Sequence, residues 1–423
     1  MNSSRREFIT HAAAMAGATV IIPSRSFGQK KVGANEQITV AGIGLGPRGR
    51  KLLSWFLPQP DIRFVAIADV QKERREIIRR MTNRHYGNED CKTYSNMQDI
   101  LAREDVDAVI IATSDRWHGT AAIWAANAGK DIYCEKPCAM SIEESGQVDD
   151  AVRANNRIYQ AGMQRRNIGN FALATELARD GSLGKLKELH AGIWLPQPVK
   201  PDLTGEPEPD PSICDWDAWL GPAPYRPFNK DYVRGRWRYH EGISAGWGLH
   251  DWSSHTLNLC QWANDADSTT PVEYWFEDEK FYAKYANGVK LVMRLAGWEK
   301  EGGWLGLGSC PVRYVGENGW VEAGDKGEIA YSDDSLAGGR TLGEGAGIDA
   351  SQHIREFLDS IKSRKPTSCN SQVMRTTEVA GHAAAISWKL GRKLKFDPAK
   401  ETFIGDDEAN ALRSYERRAP FQI

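Results

Sequence analysis

The sequence predicts an α/β N-terminal domain followed by an α+β C-terminal domain with a mainly antiparallel open sheet. Three features carry that prediction. Apolar, β-branched runs alternate with helical patterns from about residue 36 to 160, the rhythm of a parallel sheet. Short alternating runs broken by turn signals dominate from 271 to 332. Between them lies a Pro- and Trp-rich stretch, 196–230, with little periodicity, which reads as a long ordered loop. The 423 residues include 41% hydrophobic and 26% charged, so the chain buries a sizeable core and is not disordered as a whole. Lys+Arg 54 against Asp+Glu 56 leaves a net charge of −2, too little positive charge for a nucleic-acid or anionic-membrane binder. The 15 Trp are a large share, and indoles make apolar platforms with a polar handle.

The elements follow in chain order. Ser4-Arg5-Arg6-Glu7-Phe8-Ile9 resembles the twin-arginine (Tat) signal, S/T-R-R-x-F-L/I, and precedes a short apolar stretch from Ala12 to Ile22. Residues 1–28 therefore read as a signal peptide that is removed, with the Tat translocase as transient partner and the periplasm as destination. The seven Cys (91, 134, 138, 214, 260, 310, 369) are odd in number and lack metal-ligand spacing, so no metal site is expected. Cys134 and Cys138 read as small buried residues.

Residues 38–44 form a buried strand, and Gly44-Leu45-Gly46-Pro47-Arg48-Gly49 is G-x-G-x-x-G opening a helix. A second strand, Ile62 to Ala68, ends at Asp69. Strand, glycine turn, helix, strand and acid form the dinucleotide fingerprint in its confirming context. The glycines admit a pyrophosphate, the helix N-terminus supplies free N–H groups, and Asp69 accepts the ribose hydroxyls. Repulsion by Asp69 favours NAD, while Lys72, Arg74 and Arg75 leave NADP open. Strands at 106–112, 131–134 and 159–162 complete a Rossmann domain at 36–160. Thr113 to His118 and Glu135-Lys136 fall at strand carboxyl ends, where such sheets bind ligands. Residues 161–395 are expected to form the substrate and oligomerisation domain, with helices at 351–363 and 374–390 and a weakly patterned tail at 396–423.

In this order the motifs resemble the glucose-fructose oxidoreductase / inositol dehydrogenase / MocA (Gfo/Idh/MocA) family, in its Tat-exported branch. The matching residues are Gly44, Gly46 and Gly49; Ala112-Thr113-Ser114-Asp115-Arg116-Trp117-His118; Cys134-Glu135-Lys136-Pro137; Asp251-Trp252-Ser253-Ser254-His255; Gly316 to Glu322; and Gly391-Arg392-Lys393-Leu394. Ser114 stands where Pro is commoner, and Gly246-Trp247-Gly248 where a triple glycine is commoner. The resemblance implies a cis Lys136–Pro137 bond, homo-oligomers and a carbohydrate substrate.

Alcohol oxidation needs a proton acceptor near the hydroxyl and a cation that stabilises alkoxide character. Lys136 sits at a strand end beside the cofactor, and Pro137 biases its backbone toward extended geometry. Asp251, His255 and Asn258 share one face of a helix starting after Gly248, beside an apolar stripe. The resemblance makes His255 the general acid/base and Asp251 an orienting group. His118 and Glu135 are expected on the nicotinamide side with Arg48 and Thr113, and Arg166, Trp237 and Asn258 against substrate. Trp194 and Trp247 are further stacking candidates, and His382 reads as a satisfied core histidine.

The expected function is that of a periplasmic oxidoreductase moving a hydride between a sugar, glycoside or cyclitol hydroxyl and tightly bound NAD(P). One alternative is a glycoside hydrolase, lyase or epimerase that oxidises its substrate transiently. A second is a non-catalytic sugar-binding protein.

Overall fold

The computed structural model describes residues 37–295, 309–343 and 349–423. The Tat signal lies outside the described residues. β1 (Ile38–Ile43), β2 (Ile62–Ala68), β3 (Lys92–Tyr94), β4 (Ala108–Ile111), β5 (Asp131–Cys134) and β6 (Tyr159–Ala161) form a parallel sheet in the order β3-β2-β1-β4-β5-β6. Strands β1, β4 and β5 are almost wholly buried, which explains their unbroken apolar runs. Helices α1 (Pro47–Phe56), α2 (Lys72–Tyr86), α3 (Met97–Leu101), α4 (Asp115–Asn127) and α5 (Ile142–Ala154) cover the sheet.

After α6 (Gly169–Arg179) and before the short helix α7 (Trp216–Leu220) comes β7 (Leu186–Ile193), which the sequence reading left out. It is central to a nine-stranded sheet, among the described residues, of order β13-β12-β11-β7-β10-β9-β8-β14-β15. Here β8 is Glu273–Glu277, β9 Lys280–Lys284, β10 Lys290–Leu295, β11 Val312–Gly316, β12 Trp320–Ala323, β13 Ile329–Tyr331, β14 Leu394–Asp397 and β15 Thr402–Phe403. The pairings are antiparallel except β7 with β10, in line with the expected class.

Two segments of the second half of the chain also pack against the first sheet or its helices. Helix α9 (Ser351–Ser363), read as part of the second domain, packs on the first sheet. Its Phe357 lies 6.5 Å from Phe56 and 5.9 Å from Tyr133, edge to face. Residues 396–423 hold β15 and α11 (Asp407–Ala411), and then run back to the first domain. There Tyr415 and Arg417 bond the buried Glu144, and Phe421 meets Trp117 at 5.2 Å. Their polar composition conceals that packing because the contacts are ionic and aromatic rather than aliphatic. Between the two sheets, α8 (His250–Ala263) and α10 (Ser371–Leu390) pack together. Helix α10 places Met374 in the first domain's core and Val379 and Ala383 in the second's.

Candidate active site

The residues at the carboxyl ends of β1, β2 and β4 form one wall of a cleft of about 680 Å³. Gly44, Gly46, Arg48, Asp69 and Thr113 line that wall. Gly44 has φ +68°, and a Cβ there would stand 2.3 Å from Thr113 Cγ2, so only glycine fits. Helix α1 begins at the cleft with Pro47, which has no N–H to satisfy. Asp69 Oδ1 accepts the Gln71 N–H at 2.9 Å. Its Oδ2 is buried without a hydrogen-bond partner among the described residues, an acceptor left open for ribose hydroxyls. Burial pushes this carboxyl up, with Arg74 pulling the other way. Arg74 donates to Val233 O at 2.9 Å, and Arg75 to Asp69 O and Ser212 O. The chain's own residues therefore fit a dinucleotide.

The opposite wall includes Trp219, Trp237 and Arg238, with Phe421 beside them. The 113–118 motif fastens it. Arg116, wholly buried, donates to Trp219 O and to Leu220 O at 3.0 Å and lies over the Trp219 ring. Trp117 Nε1 donates to Ala218 O at 3.0 Å, and Asp115 accepts the Ala245 N–H at 3.0 Å. Trp237, expected against substrate, thus sits in the wall facing the glycine turn.

Strand β5 ends at Cys134, which brings Glu135 and Lys136 to the sheet's carboxyl edge, and the Lys136–Pro137 bond is cis. Lys136 Nζ donates to the Asp251 main-chain oxygen and lies 3.3 Å from its Oδ1. Arg238 Nε donates to Asp251 Oδ2 at 2.6 Å. Burial opposes the Asp251 carboxylate, but Lys136 and Arg238 outweigh it and hold the carboxyl below its usual range. Neighbouring Asp115 behaves oppositely: burial, then the Asp251 charge, push it up to about 7. His255 is buried, and its Nδ1 has no hydrogen-bond partner among the described residues. Burial first, then the positive charges of Arg165, Lys136 and Arg48, drive its pKa well down, which favours the neutral imidazole. Trp252 lies under Lys136, its ring centre 5.4 Å from Nζ, and stacks on Trp194 at 4.6 Å.

The structure joins Lys136 directly to Asp251, and His255, one helical turn further along α8, feels the Lys136 charge. Asp251 orients the lysine, since Lys136 and Arg238 occupy its oxygens. Arg166 and Asn258 bond each other at 2.7 Å, and Arg166 pairs with Asp267. Their polar groups are spent inside the protein, so neither is a substrate ligand here. His118 Nδ1 lies 2.6 Å from Pro137 O, bracing the turn that carries Lys136, while its Nε2 is buried without a hydrogen-bond partner among the described residues. Glu135 accepts from Arg48 at 2.8 Å and so holds a cleft residue in place. The sequence reading missed Arg238 and the pairing role of Asp115. Asp115 lay within the quoted motif, whereas Arg238, in an aperiodic loop, carried no local signal.

A model described as an oxidoreductase family with an NAD-binding Rossmann fold matches residues 38–163. Its companion, the C-terminal alpha/beta domain of that family, matches 200–305 and 343–423. The chain belongs to the Gfo/Idh/MocA family. Its N-terminal domain is thus the family's NAD-binding Rossmann domain, and NAD is the cofactor. Levoglucosan dehydrogenase of Pseudarthrobacter phenanthrenivorans is 28% identical over 168 residues, 40% of this chain and 35% of that protein. A glycosyl hydrolase family 109 protein of Stenotrophomonas maltophilia is 28% identical over 267 residues, 60% of this chain and 54% of that one. The chain thus spans about a third to a half of the length of these curated relatives. The solved structure of GenD2 from gentamicin A biosynthesis, in complex with NAD, matches with TM-score 0.62 at 18% identity, over 86% of this chain and 97% of that one. That likeness shows the Gfo/Idh/MocA fold.

Proposed function

We propose that this protein moves a hydride between a ring hydroxyl of a sugar, glycoside or cyclitol and tightly held NAD. The carrying observation is the Lys136 ammonium, held by an Asp251 that Arg238 fixes in turn, at the carboxyl edge of an NAD-binding sheet, with a neutral His255 on the same helix as Asp251. Gly44, Gly46, Arg48, Asp69 and Thr113 would hold the dinucleotide, which when bound supplies hydride acceptance and donation. Lys136 stabilises the substrate oxygen as it loses its proton. His255, being neutral, takes that proton and returns it in the reverse direction. Asp251 and Arg238 fix the direction of the ammonium.

The Tat-like Ser4-Arg5-Arg6-Glu7-Phe8-Ile9 supports export of the folded, NAD-loaded protein to the periplasm, where free dinucleotide is scarce. The cycle is then redox-neutral, with one sugar oxidised and a second carbonyl compound reduced, and the working unit is a homo-oligomer. The glycosyl hydrolase likeness over 60% of the chain favours one second reading, transient oxidation that acidifies a neighbouring C–H and permits elimination. Released aglycone distinguishes it from a net redox product. Lys136→Met and His255→Ala are expected to abolish turnover while denatured protein still releases NAD. Undiminished turnover in either variant contradicts the assignment.

A further inference from the structure

Outside the active site, helices α8 and α10 bring three ligating side chains together in the interior. His250 is the first residue of α8, and Glu378 and His382 lie four residues apart on one face of α10. All three are buried, and one donor atom from each lies within 4.8 Å of the others. His250 Nδ1 stands 3.0 Å from Glu378 Oε2, yet the two are misaligned, and both atoms lack a hydrogen-bond partner among the described residues. His250 Nε2 lacks one as well. Buried polar atoms are rarely left so, because each forfeits its hydration without return.

The surroundings fit a shared ligand. His382 Nε2 lies 3.2 Å from Ala139 O, and donation there fixes the tautomer that leaves Nδ1 with its lone pair. Glu378 Oε1 accepts the Cys138 N–H at 3.2 Å, which orients the carboxylate while Oε2 stays open. Room for the His250 ring comes from two glycines: a Cβ on Gly246 would stand 2.3 Å from it, and one on Gly381 2.4 Å. We propose that His250, Glu378 and His382 bind a divalent first-row transition metal, zinc above all, tying helix α8 to helix α10 next to Asp251. Two imidazoles and one carboxylate are a zinc-type donor set, and a tetrahedral site with bonds of about 2.1 Å sets its donors about 3.4 Å apart. The three donor atoms now lie within 4.8 Å of one another, so binding would draw them inward onto that spacing. The ion would be structural: it stiffens the helix that carries Asp251 and His255.

The test uses the full chain as purified, stripped with a chelator and reloaded with Zn²⁺ or Co²⁺. Expected are about one metal ion per chain by elemental mass spectrometry, a visible Co²⁺ spectrum of nitrogen and oxygen ligation, and a higher unfolding temperature that the chelator reverses. His382→Ala and Glu378→Gln are expected to lose at least nine-tenths of the bound metal. Should those variants fail to fold, the Co²⁺ spectrum and chelator-reversible stability of the unmodified chain decide the question. Cooperatively unfolding protein that takes up neither ion, or folded variants with undiminished metal content, would overturn the proposal.

Discussion

At the scale of single residues, Asp69 and Asp115 make the sharpest tests. Asp69 offers an open carboxylate oxygen where a ribose is expected, and a 2′-phosphate there would be repelled. Asp69→Ser is expected to shift the NADP-to-NAD affinity ratio by about tenfold, or about 1.4 kcal/mol. Calorimetric titration of nucleotide-stripped protein measures it, and an unchanged ratio removes Asp69 from the cofactor site. Asp115 is raised to about 7 by burial and Asp251, so the folded chain keeps a proton that the unfolded chain sheds near pH 4. Its contribution to stability therefore declines as pH rises from about 4 to about 7. Asp115→Asn keeps the shape without the charge, so thermal unfolding should show the unmodified chain losing ground to the variant across that window. Equal pH dependence in both would contradict the assignment. Strand-end position and helical spacing, both local patterns, marked Lys136 and His255 as candidates in the sequence, and the family resemblance gave them their roles. The partners of Asp251 were not legible, since Arg238 reaches it from a loop without periodicity. The His250, Glu378 and His382 cluster was hidden for a related reason: its ligands come from two distant helices, outside any short-range metal spacing.

At the scale of elements, the 113–118 motif does more than line the cleft: it pins the 216–220 segment and Ala245 to the sheet. The C-terminal segment completes that wall. Phe421→Ala removes a ring that lines the cleft and packs on Trp117, so NAD should dissociate several-fold faster with little change in unfolding temperature. Stopped-flow displacement reads this directly, and an unaltered rate would show that Phe421 has no part in retention. Arg417→Ala leaves Glu144, a carboxylate with no exposed side chain, without its ion-pair partner, with the Tyr415 hydroxyl and the Met140 N–H still donating to it. The expected cost is about 3 kcal/mol in urea denaturation, and a change within about 0.5 kcal/mol would mark the pair as incidental. The parallel strands were readable because burial on both faces makes their apolar runs continuous. Strand β7 was not, because Leu186, Lys187, Glu188, Leu189 and His190 mix charge into its first half.

At the scale of the whole molecule, the order of the two sheets followed from the change of hydrophobic period, but the packing of one late helix on the first sheet did not. Helix α9 follows the second sheet's strands in sequence and still packs on the first, a tertiary preference that no local pattern records. The central claim is that the two domains meet to oxidise a ring carbinol with NAD held in the cleft. The most direct measurement is a single-turnover experiment on NAD-loaded protein, following reduced-nicotinamide fluorescence on mixing with levoglucosan, inositols and simple glycosides. The account predicts stoichiometric reduction by at least one of these carbinols, abolished by Lys136→Met. A protein shown to hold NAD that forms no reduced nicotinamide with any of them would contradict it.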